Sequence, residues 1–320
     1  MRFAFTTDQR LLAEAVRDVL AKTGPPRAAR GDAWRALAEV GLLGAHIPGE
    51  HGGLGLTPLD TVLAFEETGR RAVPGPLVET AVAAPCLVGE DRLPSIASGD
   101  LVVSVSTGDS PFLLDADTAD LLVVADRDGV TIAPPHALTL TERPCGDPAR
   151  RLFEAGTGGT TGSAKERAAF DGAALATSAQ LIGLARELNR RAVTYAGQRR
   201  QFGQEIGSFQ AVKHRLADAT VAVEFAAPPV HRAAYALTHR SPTASRDVSA
   251  AKIAAGRAAH RAARTALQVH GAVGYTEELD LHLWLHRVWA LRAAWGDEGL
   301  HRSRLRAALL DGPGERTRLP

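Results

Sequence analysis

The feature that most restricts the fold is an alanine-rich stretch that fills the C-terminal half, from about residue 166 to 310. Its apolar residues recur at three- and four-residue spacing, which indicates amphipathic helices rather than strands. Turn-forming sequences interrupt the stretch at 199–208, 239–243 and 271–275. Four long helices with short connections pack economically as an antiparallel bundle. The sequence therefore predicts a C-terminal four-helix bundle over residues 166–311 and a tail at 312–320.

Two features of these helices carry further predictions. Small residues follow helical spacing along the third segment, so that this helix presents a flat face which neighbours can approach closely. They are Ala251, Ala255, Ala258, Ala262 and Ala266. The second segment contains Pro228 and Pro229, neither of which has a backbone N–H to donate. We expect a kink or a local break there.

Residues 7–88 are also helical in pattern, but they are divided into short pieces. Thr57 is a predicted N-cap, because Pro58 follows it at the first helical position. Five glycines follow Leu43 in LGAHIPGEHGGLGL, a composition that specifies a tightly folded loop. We predict an N-terminal helical domain over residues 1–98.

Residues 99–165 contain short β-branched runs bounded by Gly, Pro and Asp. The runs LVVSVS, DLLVVAD and GVTIAPP are predicted strands. The segment GTGGTTG at 156–162 has the composition of a linker. The sequence therefore predicts a mostly α fold with a small β domain between two helical ones.

Composition excludes several classes of protein. The net charge of +1 offers no field that attracts nucleic acid or an anionic membrane surface. The start, MRFAFTTDQRLLAEAV, has no continuous apolar stretch, so it predicts neither a signal peptide nor a membrane span, and we expect a cytoplasmic protein. Cys86 and Cys145 lie far apart without CxxC spacing, which argues against a disulfide framework or a thiolate metal site.

Two segments of the C-terminal half place hydrogen-bonding side chains beside glycines at helix ends. The first is RRQFG at 199–203, and the second is QVHGAVGYT at 268–276. An arginine at a helix end presents a planar fork of donors that suits a diphosphate, and Gln201 and Gln210 can add neutral hydrogen bonds. Each segment alone has a simpler explanation, since arginines complement a helix dipole and His270-Gly271 is an ordinary helix cap.

Together, in this order and separation, the two segments resemble the flavin-contacting motifs of the acyl-CoA dehydrogenase family. The loop LLGAHIPGEHGGLGL resembles that family's N-terminal loop, and the resemblance covers about three quarters of the chain. It implies FAD as cofactor, an acyl-CoA thioester as substrate, and a role in fatty acid or lipid metabolism. It also implies that the motifs hold the flavin of a neighbouring subunit across an oligomer interface. The residues so implied are Arg199, Gln201, Phe202, Phe209 and Gln210, with Gln268, His270 and Gly271 at the adenosine end.

The base that the family's chemistry requires is missing from the expected positions. By resemblance, a glutamate in a dry pocket removes the proton next to the thioester carbonyl. The matching stretch here places Trp295 at that position, and the alternative position on the first bundle helix holds Ala173. Neither side chain can accept a proton. Asp297 and Glu298 remain as candidates for a relocated base, and the catalytic residue is otherwise unknown.

Two further regions depart from the family or allow two interpretations. Glu66 and Glu67 lie where the family has acidic residues near the substrate pocket, but they equally fit a solvated helix face. The strand that carries Thr-Glu-Pro-Gly in the family has no clear counterpart here. Its nearest match is VSTGDS at 105–110.

A chain with the dinucleotide-side motifs but without the base resembles the non-catalytic subunits of actinobacterial heteromeric acyl-CoA dehydrogenases. The first hypothesis is therefore an FAD-dependent subunit that completes a flavin site with a glutamate-bearing paralogous chain. The second is a self-sufficient homo-oligomer with a relocated base, and the third is a structural or scaffolding partner that binds no flavin. Electron-transfer flavoprotein is the family's usual electron acceptor.

Overall fold

A computed structural model describes residues 4–24, 31–126, 129–155 and 163–310 of the chain. Helices dominate at both ends of the described chain, and the strands lie between them or in one short hairpin. A mostly α fold with a small β region is thus confirmed. The expected linker at 156–162 and the expected tail at 312–320 lie outside the described residues. The last described helix ends at residue 310.

The N-terminal region contains five short α-helices. They are α1 (Thr7–Ala21), α2 (Gly31–Glu39), α3 (Pro58–Arg70), α4 (Ala84–Leu87) and α5 (Leu93–Ser98), and a π-helical turn at Glu79–Ala83 leads directly into α4. Thr57 and Asp60 form a capping box at the start of α3, as the sequence predicted for this N-cap. Reciprocal bonds of this kind satisfy backbone N–H groups that the first helical turn leaves unpaired.

The glycine-rich loop before α3 folds tightly, as expected. Within the loop, the side chains of Leu43, Ala45 and Ile47 are buried. At Gly53 a Cβ atom would lie 2.0 Å from the carbonyl oxygen of Ile47, so only glycine fits there.

The β region forms two small sheets. In the first, β1 (Val103–Thr107) pairs in parallel with β3 (Leu121–Asp126), which pairs antiparallel with β4 (Gly129–Ala133). In the second, the order is β2 (Leu113–Leu114), β6 (Leu152–Glu154) and β5 (Thr141–Arg143). Every residue of β1 and β3 is buried, which explains why apolar and β-branched residues dominate both runs. The three predicted strand runs are thereby confirmed.

The bundle consists of α6 (Ala164–Gln198), α7 (Gln210–Thr238), α8 (Ala244–His270), α9 (Leu281–Ala293) and α10 (Glu298–Leu310). A hairpin of β7 (Arg200–Gln201) and β8 (Gln204–Glu205) connects α6 to α7. All five alanines of the predicted flat face on α8 are buried. Helix α7 continues through Pro228 and Pro229, so the expected local break does not occur.

The fourth long segment is a pair of helices rather than one. Trp295 and Gly296 have φ angles of 54° and 90°, which end the helical path after Ala294. The Asp297 carboxylate then accepts a hydrogen bond of 2.8 Å from the Leu300 amide and starts α10. The apolar pattern continues across this break, because α9 packs its apolar face against the core and Leu300 of α10 packs against the same core.

Helices α6 and α8 run parallel and define the two ends of the bundle. Near their N-termini, Ser245 donates a hydrogen bond to Asp171. Near their C-termini, the rings of Tyr195 and His270 stack with centroids 4.3 Å apart. Helix α6 is long and apolar enough to cross a membrane by composition, but 89% of its most apolar window is buried inside the fold. It therefore serves as the central helix of the bundle.

Candidate functional site

The segment around Arg199 forms an exposed hairpin at one end of the bundle, which we call the Arg199 end. The Arg199 amide donates to the Tyr195 carbonyl at 2.9 Å and closes α6. Phe202 lies at the hairpin turn with a φ of 52°, and its ring meets the Phe209 ring edge to face with centroids 6.1 Å apart. This aromatic contact holds the hairpin against the start of α7.

The polar side chains predicted to contact a cofactor here are exposed. Within the residues that the structure describes, no hydrogen bond or ion pair engages the side chains of Arg199, Gln201, Gln210 and Gln268. Phe202 is 91% exposed, far more than a large apolar side chain usually is on a monomer. The Arg199 end thus presents a set of unengaged donors beside an aromatic surface.

His270 and Gly271 join the second predicted motif to the first. Buried His270 stacks on Tyr195, one turn before Arg199, and its Nδ1–H donates to the Ala266 carbonyl at 2.7 Å. Burial lowers the pKa of His270, which favours the neutral ring. Gly271 has a φ of 66°, and open space surrounds the position where a side chain would begin. His270 therefore packs against the buried side of the turn, while Gly271 leaves the exposed side open to close approach by a ligand.

Trp295 lies near the other end of the bundle, which we call the Trp295 end. Its side chain is 2% exposed and packs edge-on against Phe170, with centroids 6.1 Å apart. The indole N–H donates to Glu79 Oε1 at 3.2 Å, and the Trp295 carbonyl accepts a 2.9 Å hydrogen bond from His301 Nε2. Trp295 and Glu79 line two spaces together, an internal void of about 10 Å³ and the open cleft of about 610 Å³ described below. The indole therefore fills the position where the resemblance places the base.

Glu79 is a residue that the sequence analysis missed. It is 6% exposed, and burial raises the pKa of its carboxyl group, although the nearby Arg150 guanidinium acts in the opposite direction. One signal was present in the sequence, because Glu79 is the lone charged residue in the apolar run LVETAVAAPCLV. A buried carboxyl group with a raised pKa is typical of functional sites, but structural pairs also produce it.

A cleft of about 610 Å³ opens beside Trp295, and Glu79 lies in its wall. The turn Gly108–Phe112, which includes part of the predicted VSTGDS segment, forms one side of it. Within this turn Thr107 and Ser110 exchange backbone hydrogen bonds of 2.9 Å. The buried Thr107 hydroxyl has no partner among the described residues. The segment closest to the family's flavin-ring strand therefore borders the cleft, as it would if a ring system lay there.

The candidates for a relocated base are engaged elsewhere. The Glu298 carboxylate accepts two hydrogen bonds from Arg257, the shorter at 2.6 Å, and this contact lowers the pKa of Glu298. Asp297 caps α10 and lies beside the buried ammonium of Lys252, whose pKa burial lowers to about 7. Ala173 is a fully buried core residue of α6.

The expectation that Glu66 and Glu67 form a solvated helix face is wrong. Glu66 is 2% exposed, lies 2.5 Å from Arg186 and contacts His231 at 2.9 Å. Glu67 accepts a paired contact from Arg17 at 3.0 and 3.1 Å. Both buried carboxylates join helices through ion pairs with arginines that remain partly exposed, because α3 lies between α1 and the bundle. Neither lines the cavity of about 400 Å³ that α3 shares with α6, which contains His46 and Cys86.

The Arg199 end and the Trp295 end are far apart within one chain. Phe170, against Trp295, and Tyr195, beneath the hairpin, are 25 positions apart on α6, which corresponds to about 37 Å of helix. This distance exceeds the length of an extended flavin dinucleotide. The two ends are therefore separate surfaces, which we treat as candidate half-sites, and a single dinucleotide cannot contact both in the same subunit.

The Arg199 end fits the diphosphate part of a dinucleotide. Its arginine fork and three glutamine amides are exposed and unengaged, and Gly271 leaves room for a ligand. The residues that would hold FAD there are those predicted from the sequence, with His270 acting from beneath. The Trp295 end instead offers a cleft whose lining residues Arg150 and His286 each have a buried nitrogen without a partner among the described residues, with the Thr107 hydroxyl next to its rim.

Comparison with known proteins follows this geometry. The acyl-CoA dehydrogenase N-terminal domain matches residues 6–90, and the acyl-CoA dehydrogenase C-terminal domain matches residues 161–310. The second match contains both motifs of the Arg199 end as well as Trp295.

Two curated relatives are similar over most of their length. The acyl-CoA dehydrogenase IpdE2 of Mycolicibacterium smegmatis is 33% identical over 88% of this chain and 92% of its own. Its counterpart in Mycobacterium tuberculosis is 33% identical over 88% of this chain and 90% of its own. Among solved structures, a chain of the ChsE4-ChsE5 complex from Mycobacterium tuberculosis superposes with a TM-score of 0.81 at 21% identity, covering 98% of this chain and 100% of that one.

Proposed function

This chain belongs to the acyl-CoA dehydrogenase family, whose cofactor is FAD, and from that premise we propose that it is a flavin-site-completing subunit without a catalytic glutamate. In this role it acts with a glutamate-bearing paralogous chain in the α,β-dehydrogenation of an acyl thioester. The observation that carries the proposal is the buried indole of Trp295, which stands where the family resemblance places the base and cannot accept a proton.

The Arg199 end supports the other half of the proposal. Its donors lie about 37 Å from Trp295 along the bundle, so the flavin they bind must belong mainly to a second subunit. FAD accepts the hydride in this family. Here Arg199, Gln201 and Gln210 bind the diphosphate, Gln268 and Gly271 contact the adenosine end, and Phe202 and Phe209 exclude water from the contact.

The similar heteromeric structures fit this assignment. The ChsE4-ChsE5 complex consists of two different chains, and one of them covers nearly the whole of this fold. By analogy we propose a hetero-oligomer through the C-terminal bundle, with electron-transfer flavoprotein as acceptor and a cytoplasmic location.

A second candidate function rests on Glu79. Its buried carboxyl group has a raised pKa, as a general base in a dry pocket requires, and it lines the 610 Å³ cleft. In this alternative the chain is a self-sufficient homo-oligomer, and Glu79 takes the place of the relocated base for which Asp297 and Glu298 were the sequence candidates.

The test is flavin occupancy. The chain is purified alone and after co-expression with each paralogous chain of its source organism that keeps a glutamate at the position of Trp295, and flavin absorbance is measured per protomer. The proposal expects flavin only in the mixed complex. Stoichiometric flavin in the chain alone favours the homo-oligomer, and its absence from every preparation favours a scaffolding protein.

A further inference from the structure

A groove of about 780 Å³ lies on the bundle surface between α7 and α8. Its floor is made of small residues, Ala222 and Ala226 from α7 and Ala254 and Ala258 from α8. Its walls carry the side chains of Arg215, Arg257, Arg261, Arg264 and Arg292. We call this surface the arginine groove.

The positive charge of the arginine groove is not balanced by its own walls. Glu298 is the acidic residue that lines it, and Arg257 pairs with this carboxylate at 2.6 Å. Within the described residues, Arg215, Arg261 and Arg264 form no ion pair. His260 tends to remain neutral and to add no further positive charge, because burial and then Arg292 and Arg264 lower its pKa. The groove therefore carries several unpaired cations on an otherwise near-neutral protein.

The spacing of these groups matches a helix rather than a compact anion. Arg257, Arg261, Arg264 and Gln268 follow one another at intervals of four, three and four residues along α8, a stripe of about 16 Å. Phe225 on the opposite wall is 78% exposed and provides an apolar anchor. An alanine floor lets a second helix approach closely. Donors that bind a single phosphate would instead converge on one point.

A second copy of this chain does not complement the groove. Around a two-fold axis the same surface meets itself, which would place arginine stripes against each other. Like charges face to face cost association free energy and exclude wrong partners. The surface thus favours a chain that differs from this one and carries acidic residues in the matching helix.

We propose that the arginine groove docks an acidic amphipathic helix of the glutamate-bearing paralogous subunit and so selects the hetero-oligomer over the homodimer. This inference rests on the proposed function and deepens it. The groove is continuous with the Arg199 end through Gln268, so that docking also positions the flavin-contacting residues. Electrostatic complementarity of this kind gives specificity and a fast association rate.

The experiment measures the affinity of this chain for each glutamate-bearing paralogue by titration calorimetry. The test variant is Arg261→Glu/Arg264→Glu, and Arg261→Lys/Arg264→Lys keeps the charge. The matched control Arg10→Glu/Arg306→Glu changes the net charge equally on exposed positions of α1 and α10. We expect one paralogue to bind, and charge reversal to weaken binding at least about tenfold, whereas the Lys and control variants stay within about twofold. Wild-type affinity should also fall as salt rises from about 0.05 M to about 0.5 M.

Four outcomes overturn the inference. If a flavin-containing complex forms with unchanged affinity after charge reversal, the arginine groove is not the docking site, but the proposed function is still supported. If the wild-type chain binds neither a paralogue nor flavin, both the docking proposal and the proposed function are wrong. A homodimer that dissociates on charge reversal identifies a second copy as the occupant. A complex that persists while charge reversal abolishes binding of free coenzyme A identifies a nucleotide site.

Discussion

The two ends of the bundle differ in the burial and hydrogen bonding of their key side chains. At the Trp295 end, the indole is packed between Phe170 and Glu79 and its backbone is fixed by His301. At the Arg199 end, the polar side chains are exposed and Phe202 projects into solvent. Buried groups that satisfy each other stabilise the fold, while exposed donors without partners are available to a ligand. The comparison shows that the polar groups around Trp295 pair with one another, whereas those of the Arg199 end have no partner among the described residues.

The largest expected effect is on turnover. The chain reconstituted with FAD should oxidise acyl-CoA thioesters at least about 10²-fold more slowly than the mixed complex, because general-base catalysis contributes about 10²–10⁴-fold. An artificial electron acceptor reports the rate in both samples. Robust turnover by the chain alone that disappears in Glu79→Gln would show that the Trp295 end is catalytic after all. If the same turnover disappears instead in Asp297→Asn or Glu298→Gln, the base is at the start of α10.

The next largest effect should be on the free energy of unfolding, which substitutions at the two ends should change by different amounts. Trp295→Ala should destabilise the protein by about 3–5 kcal/mol, since it empties a closely packed volume and leaves Glu79 without its donor. Phe202→Ala should change the free energy of unfolding by no more than about 0.5 kcal/mol, because its ring is exposed. Urea denaturation followed by circular dichroism measures both. Equal effects would contradict the contrast between a filled and an open half-site.

Flavin affinity, unlike stability, should depend mainly on residues of the Arg199 end. Arg199→Ala should weaken FAD binding in the mixed complex by roughly ten- to a hundredfold, because a charge-assisted hydrogen bond contributes about 1.5–3 kcal/mol. Arg10→Ala, on exposed α1, is the matched control and should leave the affinity unchanged. Fluorescence of released flavin gives the dissociation constants. Unchanged occupancy in Arg199→Ala would remove this residue from the site.

The smallest effect concerns acid stability. Burial lowers the pKa of His301 from 6.5 to about 4, so the folded state binds its proton less readily than the unfolded state. The stability that neutral His301 contributes is complete above pH 6.5 and is lost as the pH falls toward 4. Between pH 7 and 5.5 the loss should be on the order of 1 kcal/mol.

The histidine of the Arg199 end provides the comparison for this effect. His301→Gln should flatten the pH dependence of the unfolding free energy more than His270→Gln does, because His301 is fully buried and its pKa is lowered to about 4, whereas His270 is 8% exposed. His46, whose pKa is also lowered to about 4 by burial, should sustain part of the slope in both variants. A larger effect from His270→Gln would contradict the prediction that the more deeply buried histidine dominates the acid sensitivity.

Much of the fold was predictable because local signals and tertiary packing agree. The Thr57 cap, the loop that requires Gly53 and the alanine face of α8 all follow from single residues or short spacings. The break at Trp295 was missed, since the apolar pattern continues across it. Glu66 and Glu67 were misjudged, because a helix packed on both sides can bury its acids against arginines from other helices.

The sequence by itself determined the family and the residue types at each half-site, since these depend on side-chain chemistry and on order along the chain. It also predicted that tryptophan stands where the family resemblance places the base. Only the tertiary structure decided that the indole is buried against Glu79, that the half-sites lie at opposite ends of α6, and that unpaired arginines from two helices meet in one groove. Those properties depend on contacts between residues distant in sequence, and no local pattern encodes the distance between them.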